Sequence, residues 1–255
     1  MSDTFPIAGG VFLGSVVAFI DAGTALALVV FLLRRWPRLN ATLRAYTIFW
    51  GLTMTTWLPL GFRYLFLSLG STSPWLNTLD LGVQTSVFFS GPLLLYYVLT
   101  RIQKSNLLIM AFVVFSFFLA TISVWIMSQP GGLIQQPPTY FSVETTPSAI
   151  PMYIFNIEAG LIFLLLCYDV YLKFRQYRRR RLGTPYEIFY SLAIIVYLLL
   201  GSIDQAGFVT NWILIALRAC YAGVFLFVYI TISQHQASVE SYLEMPTDRI
   251  QSQSG

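Results

Sequence analysis

The chain has 255 residues, 56% of them hydrophobic and only 10% charged, and its mean hydropathy is +0.69. A soluble domain carries about 25% charged residues, so a water-soluble globular fold is excluded and a bilayer is the expected solvent. The formal net charge is +4, and where the basic residues fall along the chain sets the expected orientation.

A helix that crosses the hydrocarbon core needs roughly 20 mostly apolar residues. Runs of that kind recur seven times, over approximately 10–33, 45–69, 78–100, 107–128, 151–172, 187–206 and 211–234. The breaks "RRWPRLN", "GSTSPW", "QPGGLIQQPP" and "RRRRLGTP" hold the Pro and Gly that stop helices. Only "AGFVTN" joins the last two runs, a tight turn suited to antiparallel neighbours. The expected fold class is all-α: a polytopic, seven-transmembrane-helix bundle over residues 1–235, followed by a flexible polar tail over 236–255. Ahead of the first run there is neither a positive n-region nor an A-x-A site, so cleavage is not expected and Met1 to Ala8 form a short outer tail.

With the N-terminus outside, the inner loops and tail receive Arg34, Arg35, Arg38 and Arg44, then Arg101 and Lys104, then the run "KFRQYRRRR", and finally Arg249. The outer loops receive no cation. Retention of Lys and Arg on the cytoplasmic side sets this orientation, which places the C-terminus in the cytoplasm and the chain in the plasma (cell inner) membrane. Lys173, Arg175, Arg178, Arg179, Arg180 and Arg181 therefore read as a topology anchor in contact with anionic lipid, at ~1 kcal/mol per residue. Nine residues pinned between two spans are too short a face for nucleic acid, which is not an expected partner. Cys167 and Cys220 both fall inside spans and indicate no disulfide framework. Asn40, in the sequon "NAT", falls on the inner side, where it would not be glycosylated.

Ionisable groups inside a bilayer cost ~2.5–3.5 kcal/mol each and normally face the bundle interior or water. Within the runs lie Asp21, Arg63, Asp80, Glu158, Asp169, Glu187, Asp204 and Arg218. At 1.5 Å per residue, Arg63, Glu158 and Arg218 fall roughly 10 Å below the outer surface, Asp80 and Asp204 near it, and Asp21 about midway; Asp169 and Glu187 belong to the inner end. Helical spacing puts Asp80, Gln84 and Gly91 on one face, Glu158, Ile162, Leu165 and Asp169 on another, and Arg218, Ala222, Phe225 and Tyr229 on a third. If these stripes converge, runs two, three, five, six and seven enclose an outward polar pocket, with Arg63, Asp80, Gln84, Glu158, Asp204 and Arg218 as candidate ligand-binding residues. The same groups can instead pair only to lock helices, Arg63 with Asp80 and Arg218 with Glu158 or Asp204, at ~0.6 kcal/mol per polar contact. The aromatics read mostly as lipid-facing bulk, with Trp75, Trp125 and Trp212 in the interfacial belt.

Catalysis is not expected, and neither is a metal or cofactor. His235 is the only histidine, too few for a zinc or b-haem site and no base for Ser90 in "FFSGP", a pair similar to that of serine intramembrane proteases. "YD" at Tyr168–Asp169 and "GSID" ending at Asp204 are similar to intramembrane aspartyl protease motifs, with Ile203 in place of a glycine. Their acids are expected at opposite ends, roughly 25 Å apart, where a dyad needs about 3 Å. "FFSGPLLLYYVL" resembles the third helix of microbial rhodopsins, yet the last span has no lysine for a Schiff base and Arg218 cannot replace one. Class A G-protein-coupled receptors differ at "LTR", where an acidic-Arg-Tyr triplet would stand, and run seven has no NPxxY.

"RRWPRLNATLRAYTIFWGLTMTTWLPLGFRYL" and "GPLLLYYVLT" resemble the first inner loop, second span and third span of the seven-helix amino-terminal sensor regions of bacterial histidine kinases and cyclases, over about a third of the chain. That resemblance implies a membrane receptor or sensor. Those regions feed a cytoplasmic output domain, and this chain ends about twenty residues after run seven, so a separate signalling partner is expected beside membrane lipid. Two other classes stand as alternatives: a non-catalytic subunit of a larger membrane complex with lipid, quinone or pigment contacts, and a small transporter using Asp21 and the deeper acids.

Overall fold

The computed structural model describes residues 4–103, 105–136, 140–180, 186–205 and 211–243. Among the described residues seven α-helices follow one another: α1 (Thr4–Leu33), α2 (Ala41–Ser68), α3 (Trp75–Ile102), α4 (Asn106–Ser128), α5 (Ala149–Arg180), α6 (Tyr186–Gln205) and α7 (Asn211–Leu243). Six of them, all but α2, are long and apolar enough to cross a membrane. In α2, threonines, tryptophans and the arginines Arg44 and Arg63 dilute the hydropathy along its 28 residues.

Local chemistry explains the helix ends. Asn40 caps α2, its Oδ1 accepting the Leu43 amide at 2.9 Å, so the sequon asparagine satisfies one of the orphan donors of a helix start. At the other end of α2, Gly70 takes φ +79°. The Ser71 amide donates to Phe66 O and the Gly70 amide to Leu67 O, the paired bonds of a Schellman stop that needs a left-handed residue. After α4, Pro130 and Gly131 occupy the centre of a turn closed by the Gly132 amide on Gln129 O at 2.9 Å; Gly131 supplies the positive φ of a type II turn.

α1 packs against α2 and α7, α2 against α3, α3 against α4 and α5, α5 against α6, and α6 against α7. The ring is thereby closed, with α4 resting on the outside of α3 and α5. Between α4 and α5 the chain does more than turn. β1 (Leu133–Gln135) and β2 (Thr145–Pro147) form an antiparallel pair, with Ile134 opposite Thr146, where the sequence led us to expect only a break. This hairpin lies at the bundle end formed by the start of α1, α3, α5 and α7 and the finish of α2, α4 and α6.

Two expectations about extent are corrected. α7 continues to Leu243, past the anticipated boundary at residue 235, and α5 continues through most of the basic run to Arg180; neither "QASVESYL" nor "KFRQYRRR" contains a Gly or Pro to stop a helix. Arg181, Lys104, residues 206–210, where a tight turn was expected, Arg249 and the rest of the tail from 244 lie outside the described residues.

Many aromatics are exposed, as expected, among them Phe112, Phe115, Phe118 and Tyr153, but a second group forms a core the sequence did not reveal. Tyr46, Phe49, Trp50, Trp57, Tyr97, Tyr190, Tyr221 and Phe225 are buried in one core with Leu94, Ile162 and Val228. Their rings meet at 4.7–5.8 Å, as Phe49 meets Trp50 and Tyr46 meets Tyr190, within the range where edge-to-face and tilted pairs are favourable. An apolar stripe alone cannot show which side of a helix faces lipid, because both lipid and core accept it. Trp75, Trp125 and Trp212 are exposed, as their interfacial reading requires.

Candidate functional site

The hairpin is tied into the bundle through three consecutive residues, Val143, Glu144 and Thr145. Arg63, one turn from the end of α2, donates from Nη1 to Val143 O and from Nη2 to Thr145 Oγ1 at 3.0 Å, while its Nε stands 2.5 Å from Asp80 Oδ1 on α3. Thr145 Oγ1 in turn donates to Asp80 Oδ2 at 2.8 Å. Gln84, one turn beyond Asp80, donates from Nε2 to Thr145 O at 3.2 Å. That contact fixes the amide: the nitrogen must face the carbonyl, which leaves Gln84 Oε1 buried without a hydrogen-bond partner.

Glu144 belongs to the second knot. Arg218 of α7 is 2% exposed and reaches three groups. Its Nη2 donates to Glu144 Oε1 at 2.5 Å, its Nε and Nη2 grip Asp204 of α6 at 3.2 and 3.1 Å, and its Nη1 donates to Tyr64 OH at 3.0 Å. Tyr64 completes the circuit by donating to Glu144 Oε1 at 2.7 Å. A guanidinium this deep is tolerable only when paired and hydrogen-bonded throughout. Burial alone would push the Glu144 carboxyl up, but the Arg218 charge, the Tyr64 hydroxyl and Ser142 together hold it below its ordinary value.

Beside these knots α2, α3, α5, α6, α7 and the hairpin enclose a cavity of about 810 Å³. Its charged lining is Arg63, Asp80, Glu144, Asp204 and Arg218, and its aromatic side includes Trp57, Tyr197 and Tyr221. Both other rings meet Tyr221, Trp57 in a tilted pair at 4.7 Å and Tyr197 edge-on at 5.2 Å. A second hollow of about 850 Å³ lies toward the α2–α3 turn and shares Arg63, Asp80 and Thr145 with the first. The Arg63–Asp80–Thr145 knot is thus a partition between two spaces.

Of the residues singled out from sequence, Arg63, Asp80, Gln84, Asp204 and Arg218 border this cavity. Glu158 does not, and it does not pair with Arg218. It accepts from Ser116 Oγ of α4 and lies over Gly91 of α3, where a Cβ would stand 2.8 Å from its carboxylate. Glu158 therefore joins α3, α4 and α5 on the outer side of the ring. The buried track on α7 also departs from expectation, because after Phe225 it follows Val228 and Ile232 while Tyr229 is 40% exposed. Asp21 is fully buried, lies against the Ala222 backbone and senses the charges of Arg218 and Asp204; among the described residues it makes no ion pair.

A third cluster occupies the opposite end. Arg101 donates from Nε to Asp169 Oδ2 at 2.9 Å and from Nη2 to Glu187 O at 3.0 Å, and Ser191 Oγ donates to Asp169 Oδ2 at 2.7 Å. Asp169 is thus bound beside Ser191, thirteen positions and about 20 Å along α6 from Asp204, so the two cannot act as a dyad. Lys173 Nζ stands 2.7 Å from Glu187 Oε2, so the first residue of the basic run is engaged by protein. Arg175 and Arg178 are exposed on the same stretch of α5; the side chains of Arg179 and Arg180 lie outside the described residues.

Glu144, Tyr64 and Thr145 were missed in the sequence. One signal was present: Glu144 is the only charged residue between Gln129 and Ser148, in a loop at the end of the bundle where Arg63 and Arg218 lie. No protein-family model matches the chain, and no curated protein matches it.

Proposed function

We propose that the chain is a seven-span membrane receptor or sensor, with its N-terminus outside and its C-terminus in the cytoplasm, that binds a small ligand in the hairpin-roofed cavity. The observation that carries this reading is the cavity itself. Its volume of about 810 Å³ falls within the usual ~300–1,000 Å³ of small-molecule sites, and five helices contribute to its wall.

The orientation follows from the basic residues. Arg34, Arg35, Arg44, Arg101, Lys173, Arg175 and Arg178 sit at helix ends opposite the hairpin, which makes that end cytoplasmic under the positive-inside rule. The cavity then opens on the outer side of the cell membrane. α2 joins this bundle as a span whose polar residues face protein: Thr47, Thr53 and Arg63 are buried.

Signalling requires that a ligand favour one helix arrangement over another. A molecule in the cavity touches the ion pairs that hold α6 and α7 to the hairpin, and α5 and α7 are the helices that run longest toward the opposite end, to Arg180 and Leu243. Those extensions are where a separate signalling partner would read the change. The resemblance of residues 34–65 and 91–100 to bacterial sensor regions supports the same role.

A cavity-filling variant tests the reading. Ser202 lines the cavity with its side chain exposed. A ligand found by thermal-shift screening of protein in nanodiscs raises Tm in the unmodified chain and leaves Ser202→Trp unchanged. Equal shifts in both would place binding elsewhere.

A further inference from the structure

We infer that the cavity is built for a cationic ligand, a protonated amine carrying an aromatic or aliphatic body. The inference rests on the receptor reading above and adds the chemical class of what binds.

Charge balance comes first. Two guanidiniums, Arg63 and Arg218, face three carboxylates, Asp80, Glu144 and Asp204. Asp80 is matched by Arg63, whereas Glu144 and Asp204 share the single cation of Arg218. With all three carboxylates ionised, one negative charge exceeds the two guanidiniums, and a carboxylate that must share its cation is costly where it is buried. An anionic ligand would add to that surplus, and every guanidinium able to meet it is already engaged. A cation removes the surplus.

The wall also offers an ammonium something to pair with: Glu144 lines the cavity and retains 38% of its side-chain surface. Trp57, Tyr197 and Tyr221 belong to the same lining, and aromatic rings suit either the cation, through the quadrupole, or an apolar body.

Three probes of one size separate the possibilities: 2-phenylethylamine, 2-phenylethanol and phenylacetate. Each is titrated by calorimetry at pH 7 against the full chain in phosphatidylcholine nanodiscs, with empty nanodiscs subtracted. The amine is expected to bind at least tenfold more tightly than the alcohol, and phenylacetate more weakly than both. In Glu144→Gln the preference for the amine falls about tenfold. The ranking is measured on unmodified protein, so misfolding of that variant cannot decide the outcome. If the alcohol or phenylacetate binds as well as the amine, and Ser202→Trp abolishes that binding, the cation inference is wrong and the receptor cavity stands. If none of the three binds, the inference falls, and a thermal-shift screen with no Ser202→Trp-sensitive ligand removes the cavity reading separately.

Discussion

Arg218 and Glu144 are 74 positions apart in sequence and meet at 2.5 Å, joining the last helix to the middle of the hairpin. Asp204 is held by the same guanidinium, so one side chain fastens α6, α7 and the hairpin together. Removing it strands two carboxylates, whereas removing Glu144 leaves Arg218 with Asp204. Arg218→Leu is therefore expected to cost about 3–5 kcal/mol and Glu144→Gln clearly less, measured by denaturant unfolding in detergent. The opposite order would contradict this assignment of the knot.

Thr145 takes part in both directions of the other knot, accepting from Arg63 and donating to Asp80. Thr145→Val keeps the shape and removes the hydroxyl, leaving two buried polar partners short of a bond. A loss of about 1–3 kcal/mol is expected, together with faster hydrogen exchange in residues 133–147 and unchanged exchange around Arg101. Uniform acceleration over the chain would mean that the hairpin is not a separately held unit.

Small residues on α1 seat the chain after the hairpin's first strand. A Cβ on Gly14 would stand 2.7 Å from Phe141 O, and one on Gly10 would meet Tyr140 O; both obstacles are backbone and cannot swing aside. Gly23 has nothing within 4 Å. Gly14→Ala is expected to lower stability by about 1–3 kcal/mol, while Gly23→Ala raises it by roughly 0.5–1 kcal/mol through helix propensity. Thermal unfolding of the pair in one detergent checks the contrast.

Glu144 gives the hairpin a pH dependence of known sign. Its carboxyl is held below the ordinary 4.5, so on acidification the undocked state takes up a proton before the docked one. The stabilisation is present in full above about pH 5 and is lost as pH falls through the lowered value. A Tm profile from pH 7 to pH 3 should turn down at its acidic end and be flatter there in Glu144→Gln. Identical profiles would show that the carboxylate is not held by Arg218.

Much of this was legible in the sequence because membranes impose simple rules. Apolar run length located seven helices, and helical spacing placed Asp80 with Gln84 and Arg218 with Phe225 on shared faces. Arg63, Asp80, Asp204 and Arg218 stood out because charge is costly where they lie. Glu158 was misplaced because its neighbour Gly91 and its donor Ser116 carry no such signal. The hairpin was hidden by its length, since three-residue strands have too little periodicity to read. The aromatic core was hidden because lipid and protein interior accept the same side chains.

Sidedness is the most direct test of the central claim. In a background with Cys167 and Cys220 replaced by serine, Ser202→Cys and Arg178→Cys are each exposed to a membrane-impermeant maleimide on intact cells. The cavity position should react from outside, and the α5 position only after the membrane is opened. Reaction of Arg178→Cys on intact cells, with Ser202→Cys protected, would reverse the orientation and with it the claim that the hairpin-roofed cavity faces out.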